Sequence, residues 1–371
     1  MSAAHQTICL NMIVKNEAAV IRRCIDSVRP LIHSWAIVDT GSSDGTQDII
    51  RSLLHGIPGT LYERPWKDFA HNRSEALALA REMGDYTLII DADDTLEIVP
   101  GTSLPALTFD SYPIEIRDSN IAYQRIQLVR STMPWRYEGV LHEYLTCEGA
   151  GPGGVLAGIL MRRNHDGARR LDPETYRRDA AVLELALQTE TRPFLIARYR
   201  FYLAQSYRDC REWKRALEHY LARAGLGFWQ DEVFISLYYA AQMMELLRHS
   251  ERDIIDAYLR ATLAQPSRVE AFHGASKFCR LKQNYEEGYD IAKRGLGTPM
   301  PGADALFVEP WIYETGLLDE YALNAYWSGH FKDCLDASLT ILQSGTLSPP
   351  EVQRVAANAR FASDKLWSER V

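Results

Sequence analysis

The chain has 371 residues, 46% hydrophobic and 24% charged, with a formal net charge of −8. That length can bury a sizeable core in two domains, and the acidic balance excludes a generally basic, nucleic-acid-binding surface. No run approaches the roughly 20 apolar residues of a membrane helix, and the first residues lack a basic start followed by an apolar signal core, so a cytoplasmic protein without a transmembrane segment is expected.

Residues 7–14, "TICLNMIV", predict a strand, 17–28 a helix, 35–39, "WAIVD", a strand and 47–54 a helix. A helix over 69–83 then leads into a strand at 86–91, "YTLIID". Strand and helix alternating at this spacing imply a parallel sheet with helices on its faces, and such sheets bind ligands where the carboxyl ends of their strands meet the loops. From about residue 173 strand signals give way to long helical patterns. Aligning Ala216, Ile254, Gly288 and Cys334 gives offsets of 38, 34 and 46 residues, near the ~34-residue period of tetratricopeptide repeats. Ala204, Tyr207, Ala216 and Tyr220 read as the packing positions of the first copy. The expected domains are 1–168 and 169–371. Six cysteines, Cys9, Cys24, Cys147, Cys210, Cys279 and Cys334, lack CxxC spacing, which suggests reduced thiols rather than zinc ligands or disulfides.

Acidic residues gather at the strand ends. Asp39 closes the second strand, where a carboxylate can accept an N–H from a base or hold a sugar hydroxyl. Asp44, before Gly45 and a helix start, reads equally as a turn and helix cap. Asp91, Asp93 and Asp94 end the apolar run of "LIIDADDTLEI". Like charges one residue apart repel, so a cation or hydrogen-bond donors must offset them. Oxygen-rich sites suit Mg2+ or Mn2+ bound through one or two carboxylates and the phosphates of a nucleotide diphosphate. Helix capping by Asp93 and Asp94 is the plainer alternative.

The segments "ICLNMIVKNEAAVIRRCIDSV", "AIVDTGSSDGT", "WKDFAHNRSEALALA" and "YTLIIDADD", followed by "YEGVLHEYL" and "RNHDG", resemble in order the landmarks of family 2 glycosyltransferases. The resemblance is to the bacterial type in which an α/β GT-A domain precedes an all-α tetratricopeptide-like repeat domain, and it extends to about residue 225. Peptide S-glycosyltransferases share this layout, and lipopolysaccharide-core glucosyltransferases share its first half. The resemblance implies a nucleotide-sugar donor, UDP-sugar first, a divalent cation, Mn2+ or Mg2+, and inversion at the anomeric carbon. It places donor contacts at Val14, Asn16, Glu17, Asp39, Gly41, Ser42, Asp44, Arg73, Asp91 and Ala92. Asp93, Asp91 and His165 become the metal ligands and Glu143 the catalytic base, with His142, Asn72 and Asp94 as additional site residues. "HNRS" departs from the Arg-Asn order of many relatives, which bears on Asn72 and Arg73.

On a strand, Glu143 and His142 would face opposite sides unless the strand ends there. Arg162 and Arg163 read as diphosphate contacts or as ordinary surface. Trp66, Trp135 and Tyr137 read as stacking platforms or as packing. The repeats are expected to hold the acceptor on their concave face or to make a homodimer. A peptide or protein side chain comes first as acceptor, a glycan or lipid-linked acceptor second, and a non-catalytic scaffold is the rival from another class.

Overall fold

The structure, a computed structural model, describes residues 6–102, 104–118, 121–169, 172–302 and 305–368. The first five residues of the N-terminal stretch, and Arg170 of the basic run "MRRNHDGARR", lie outside them. Two compact units divide at Thr189/Glu190. The first helix after the compositional change, Thr175–Thr189, thus falls in the N-terminal unit.

That unit runs β1 (Ile8–Val14), α1 (Ile21–Val28), β2 (Ser34–Asp39), α2 (Thr46–Leu53), β3 (Gly59–Glu63), α3 (Phe69–Ala80) and β4 (Tyr86–Ile89). It continues through β5 (Thr95–Ile98), β6 (Ser111–Asp118), β7 (Ile121–Arg130), β8 (Arg136–Glu138), β9 (Tyr144–Thr146), β10 (Ile159–Arg162) and α4 (Thr175–Thr189). One sheet has the order β3-β2-β1-β4-β7-β6-β10-β5, and β8 and β9 form a separate ribbon. The strands β3, β2, β1 and β4 are parallel, as the alternation predicts. Beyond β4 the sheet is mixed: β7 runs antiparallel to both β4 and β6, β10 runs parallel to β6, and β5 antiparallel to β10. The direction changes because no crossover helix follows β4, and β6 and β7 pair as a hairpin.

Near-continuous apolar runs make β1, β2 and β4 strands covered on both faces. α1 buries Ile21, Cys24, Ile25 and Val28, and α2 buries Thr46, Ile50 and Leu53, each one stripe of a helix against the sheet. The core joins them through Leu10, Met12, Ile37, Leu88 and Ile116. The first helix begins later than its pattern suggests. The Glu17 carbonyl accepts from the N–H groups of Val20 and Ile21 (3.0 and 2.9 Å), so residues 17–20 form a turn at the sheet edge.

The C-terminal unit is helical: α5 (Pro193–Asp209), α6 (Trp213–Ala224), α7 (Gln230–Leu246), α8 (Glu251–Ala264), α9 (Glu270–Leu281), α10 (Tyr285–Gly295), α11 (Leu317–Trp327), α12 (Phe331–Gln343) and α13 (Pro349–Ser368). Each helix packs on the next in sequence, the arrangement of stacked helical pairs. Ala216, Ile254, Gly288 and Cys334 each occupy the fourth position of a second helix and are buried. The 46-residue offset contains a non-helical connection that ends before residue 310, after which the chain is helical through a π-helical turn (Ile312–Gly316) that leads directly into α11. No helix among the described residues is long and apolar enough to cross a membrane.

All four first helices end in the same turn. Arg211, Arg248, Gln283 and Gly329 take left-handed φ values of 61°, 58°, 61° and 87°. The following N–H reaches back five residues, Glu212 to Tyr207, His249 to Met244, Asn284 to Cys279 and His330 to Ala325, at 2.8 to 3.1 Å. This is the Schellman arrangement, which favours glycine at the left-handed position. Only the last pair has one, and a Cβ there would meet nothing, so the effect of substitution is backbone strain alone. Gln283→Gly should therefore stabilise the unit by about 0.5 kcal/mol, and Gly329→Val should destabilise it by about 1–2 kcal/mol, in urea titrations followed by helical circular dichroism.

Candidate active site at the carboxyl edge of the sheet

The loops after β1 and β2 interlock. Asn16, in left-handed conformation (φ 57°), donates its N–H to Ser42 Oγ (2.9 Å) and accepts from the Ser43 N–H at Oδ1 (2.8 Å). Glu17 donates its N–H to Thr46 Oγ1 (2.9 Å), and Ala18 to Asp44 Oδ2 (3.0 Å). Asp44 Oδ1 accepts from the Thr46 N–H and hydroxyl (3.1 and 2.6 Å). Burial works against its charge, yet the Thr46 and Ala18 donors hold the Asp44 carboxyl below the usual range. Asp44 thus holds the turn that enters α2, whose N-cap is Gly45, and ties the two loops together. The Val14 carbonyl at the end of β1 accepts from Thr40 N–H and Oγ1 (2.9 and 3.1 Å).

Asp39 is 1% exposed. Its Oδ1 accepts from the N–H groups of Gly41 and Ser42 (both 2.9 Å) and from Gln47 Nε2 (3.3 Å), while buried Oδ2 has no hydrogen-bond partner among the described residues. An orphaned acceptor of that kind costs about 1–3 kcal/mol until a donor reaches it.

Past β4, three elements meet in an ion triad. Arg73 of α3 donates from Nη2 to Asp91 Oδ1 (2.6 Å), and its Nε lies 2.7 Å from Glu143 Oε1. Arg125 of β7 approaches Asp91 Oδ2 at 3.7 Å. The side chains of Arg73, Asp91 and Glu143 are 14%, 22% and 13% exposed, so their charges are weakly screened. Burial pushes the Asp91 carboxyl up, but Arg73 and Arg125 outweigh it and hold the group well below its ordinary value. Burial likewise opposes the Arg73 charge, and Asp91 and Glu143 override it. The charge of Asp91 is therefore offset by arginines, the hydrogen-bond-donor alternative of the two that the sequence left open. Ala92 is buried in the core.

Glu143 arrives on the β8–β9 ribbon, which docks on α3 where the Tyr137 N–H donates to Ser74 Oγ (2.9 Å). It precedes β9 rather than lying inside a strand, because His142 takes a left-handed φ of 52° and turns the chain. The opposite-face argument for His142 and Glu143 accordingly does not apply. The Tyr137 ring lies 5.7 Å from the Arg73 guanidinium. Trp135 is buried against Leu77, Ile89 and Val129, and Trp66 meets Phe69 edge to face.

Beside the triad, acidity is less well offset. Among the described residues neither oxygen of buried Asp94 has a hydrogen-bond partner. Burial, then Asp91 and Asp93, push its pKa up to about 7. Burial also pushes Glu17 up to about 7, with Asp93, Asp44 and Asp91 adding to it against the Ala168 N–H. Asp93 is raised by burial and by Asp91. Neither Asp93 nor Asp94 caps a helix, since the next element is strand β5.

The segment after β10 folds across this cluster. Asn164 Nδ2 and Arg23 Nη2 both donate to the Asp93 carbonyl (2.9 Å each), Arg23 pairs with Asp166, and the Ala168 N–H donates to Glu17 Oε2 (3.4 Å). Gly167 lies so close that a Cβ would come within 2.6 Å of Asp93 Oδ2. His165 Nε2 pairs with Asp118 Oδ1 at the end of β6 (2.7 Å).

Three further residues have partners of their own. Asn72 is buried, its amide bridging the Lys67 N–H (2.9 Å) and the Pro65 carbonyl (3.1 Å), so it shapes the loop before α3. Arg162 pairs with Glu97 on the surface (2.6 Å), whereas Arg163 donates to Tyr123 Oη (3.1 Å). Among the described residues no group of three or more His, Cys, Asp or Glu side chains is arranged to hold a metal ion. Sequence reasoning missed Arg23 and Arg125, and no spacing signal marks either one.

A carboxyl whose folded pKa lies above its unfolded one stabilises the fold only where it is protonated. For Asp94 that contribution is complete below about pH 4 and is lost as pH rises through about 7. Asp94→Asn should leave stability near pH 4 almost unchanged and raise it near pH 8 by on the order of 2 kcal/mol, measured by urea unfolding of the ligand-free chain. An equal effect at both pH values would mean that the carboxylate has a partner.

Residues 9–98 match the family model for glycosyl transferase family 2. A TPR repeat-containing protein of Synechococcus elongatus is 31% identical over 152 residues, covering 38% of this chain and 36% of that protein. An uncharacterized glycosyltransferase of Rickettsia felis is 35% identical over 23% of this chain and 28% of its own. The lipopolysaccharide core biosynthesis glycosyltransferase LpsC of Rhizobium meliloti is 32% identical over 26% of this chain and 35% of its own. The chain thus spans about a third of the length of the curated relatives it matches. Among solved structures, the C-terminal part of a TPR repeat-containing protein from Cytophaga hutchinsonii aligns with a TM-score of 0.40 at 9% identity, over 53% of this chain and 68% of that one. The chain carries a glycosyl transferase family 2 segment at residues 9–98, within an α/β unit of GT-A type, and a tetratricopeptide-like helical array after it.

Proposed function

We propose that the protein is an inverting, divalent-cation-dependent glycosyltransferase that moves a sugar from a nucleotide-diphosphate donor, UDP-sugar first, to an acceptor. The observation that carries this reading is the charge imbalance at the sheet edge: among the described residues Asp93, Asp94 and Glu17 make no ion pair, and burial and neighbouring carboxylates raise all three, while Asp91 and Glu143 share Arg73. The match of residues 9–98 to glycosyl transferase family 2 supports it.

The residues fit a cation in a particular way. Asp91 is engaged by arginines, which leaves Asp93 as the carboxylate for Mn2+ or Mg2+, with the donor's phosphates supplying further oxygens. Bound there, the ion would stabilise charge on the departing diphosphate. His165, paired with Asp118, is a further ligand on this reading. The unpartnered Asp39 Oδ2 takes an N–H from the base or a ribose hydroxyl, and the Asn16–Ser42 interlock shapes the wall beside it.

Glu143 removes the acceptor's proton as the acceptor attacks. Its present partner is Arg73, and an incoming diphosphate that competes for the guanidinium releases the carboxylate when the donor is in place. A peptide or protein side chain comes first as acceptor. The relative named for lipopolysaccharide core biosynthesis keeps glycan acceptors in the test panel.

Release of nucleoside diphosphate from a panel of UDP-, GDP- and dTDP-sugars, with and without Mn2+, tests the reaction. Metal-stimulated release is expected, and no binding or turnover across the panel would favour a non-catalytic scaffold. Asp93→Ala should abolish metal-dependent donor binding. Glu143→Gln should keep donor binding and lower transfer by about 10²–10⁴-fold, and a variant that transfers normally removes Glu143 from the role of base.

A further inference from the structure

At one edge of the helical unit α5 begins, α6 ends and α7 begins, and residues 225–229, "GLGFW", join the last two. Every residue of this connection is exposed. Phe228 and Trp229 are 53% and 46% exposed, with Phe194 of α5, Leu221 of α6 and Leu226 exposed beside them. The Phe228 and Phe194 rings meet edge to face at 5.8 Å, so the apolar side chains form one patch. The packing of helical pairs does not demand it. The connection from α8 to α9, residues 265–269, is as long and joins the same kinds of helix. There the residue just before the helix is Val269, 1% exposed, in the place of Trp229, and the exposed residues are Pro266 and Ser267.

The rings are held outward at a cost. Gly227 and Phe228 take left-handed φ values of 72° and 64°. Glycine adopts that backbone freely, whereas a bulky residue with a Cβ is disfavoured there. A buried ion pair imposes it. Arg223, 0% exposed, donates from Nη1 to the Gly227 carbonyl (2.8 Å), while its Nε and Nη2 are fixed on Glu232 Oε2 (3.0 and 2.8 Å). Strain sustained by such a clamp, with the aromatic ring left in water, marks a surface made to meet something else.

Charge and area identify the occupant. Residues 221–230 contain one charged side chain, Arg223, and it is buried, so no exposed charge has to be desolvated when the patch leaves water. Along α6 the exposed residues change from Lys214 and Glu218 to Leu221 and Ala222 within a turn, the sharp step from charged to apolar that a lipid interface presents. The five side chains expose on the order of 400 Å2 together, about half of the ~800 Å2 that each partner contributes to a stable protein interface. We infer that this connection is a lipid-surface anchor: Leu226, Phe228 and Trp229 enter the headgroup boundary of a bilayer, with Phe194 and Leu221 at the rim. Tryptophan favours that depth because its ring is apolar and its N–H stays wet. The inference is independent of the reaction proposed above.

The full chain is floated with phosphatidylcholine vesicles and with vesicles of equimolar phosphatidylcholine and phosphatidylglycerol. It should bind both, since the patch carries no exposed charge. Phe228→Gly/Trp229→Ser should lower the partition coefficient at least about tenfold. Both substitutions fit the backbone, because glycine suits a φ of 64° and serine suits the N-cap of α7. Trp229→Phe should keep the partition coefficient within about twofold, yet reduce the tryptophan quenching that brominated phosphatidylcholine causes in the unsubstituted chain. Absence of binding to either vesicle, binding confined to the anionic vesicles, or equal partition of the double variant overturns the proposal. So does a dimer in sedimentation equilibrium that the double variant abolishes, with no vesicle binding, which assigns the patch to a second copy. If the double variant loses its helical circular dichroism, the difference in quenching between the unsubstituted and Trp229→Phe chains decides alone.

Discussion

The carboxylates past β4 at the carboxyl edge of the sheet are arranged around one guanidinium. Arg73, on α3, reaches Asp91 beyond β4 and Glu143 on the β8–β9 ribbon, so a single cation joins elements far apart in sequence. Two buried carboxylates are tolerable with one cation between them, which hydrogen-bonds Asp91 and makes an ion pair with Glu143. Once Arg73 is committed to Asp91 and Glu143, it has nothing left for Asp93, Asp94 or Glu17. Their raised affinities for protons come first from burial and then from the carboxylates around them.

Much of this was legible from the chain, and the limits have physical causes. β1, β2 and β4 are near-continuous apolar runs, and a strand buried on both faces has no other pattern available. The grouping of Asp39, Asp91 and Glu17 at one edge follows from parallel order alone. The mixed half of the sheet was not legible, because a hairpin such as β6–β7 is fixed by register and turn geometry that local composition does not encode. Arg23 and Arg125 were missed for a related reason: an arginine that neutralises a distant carboxylate has the same local sequence as one in solvent. Asp44 shows the reverse, since its place before Gly45 suggested capping and its oxygens are spent on Thr46 and Ala18.

The helical unit divides in the same way. Its repeats could be aligned because Ala216, Ile254, Gly288 and Cys334 sit at equivalent places where the second helix packs, and the shared turn before them keeps that register even where the left-handed residue is arginine or glutamine. The long third offset announced an insertion but not its course. That course depends on Arg268 and Glu270, a buried pair outside the repeat pattern whose hydrogen-bonding capacity is completed by main-chain groups of residues 306–309.

β10 lies between β6 and β5, although β5 precedes it in sequence by about sixty residues. The contacts that follow β10, such as Ala168 with Glu17, span 151 residues. During synthesis, a nascent chain that has emerged only as far as β7 holds the parallel strands and the acidic cluster but leaves the β6 and β5 edges unpaired. Closure of the sheet and roofing of the carboxylates are then one late event, and until β10 inserts the half-made unit is the stage of the molecule most open to edge-to-edge association with its neighbours.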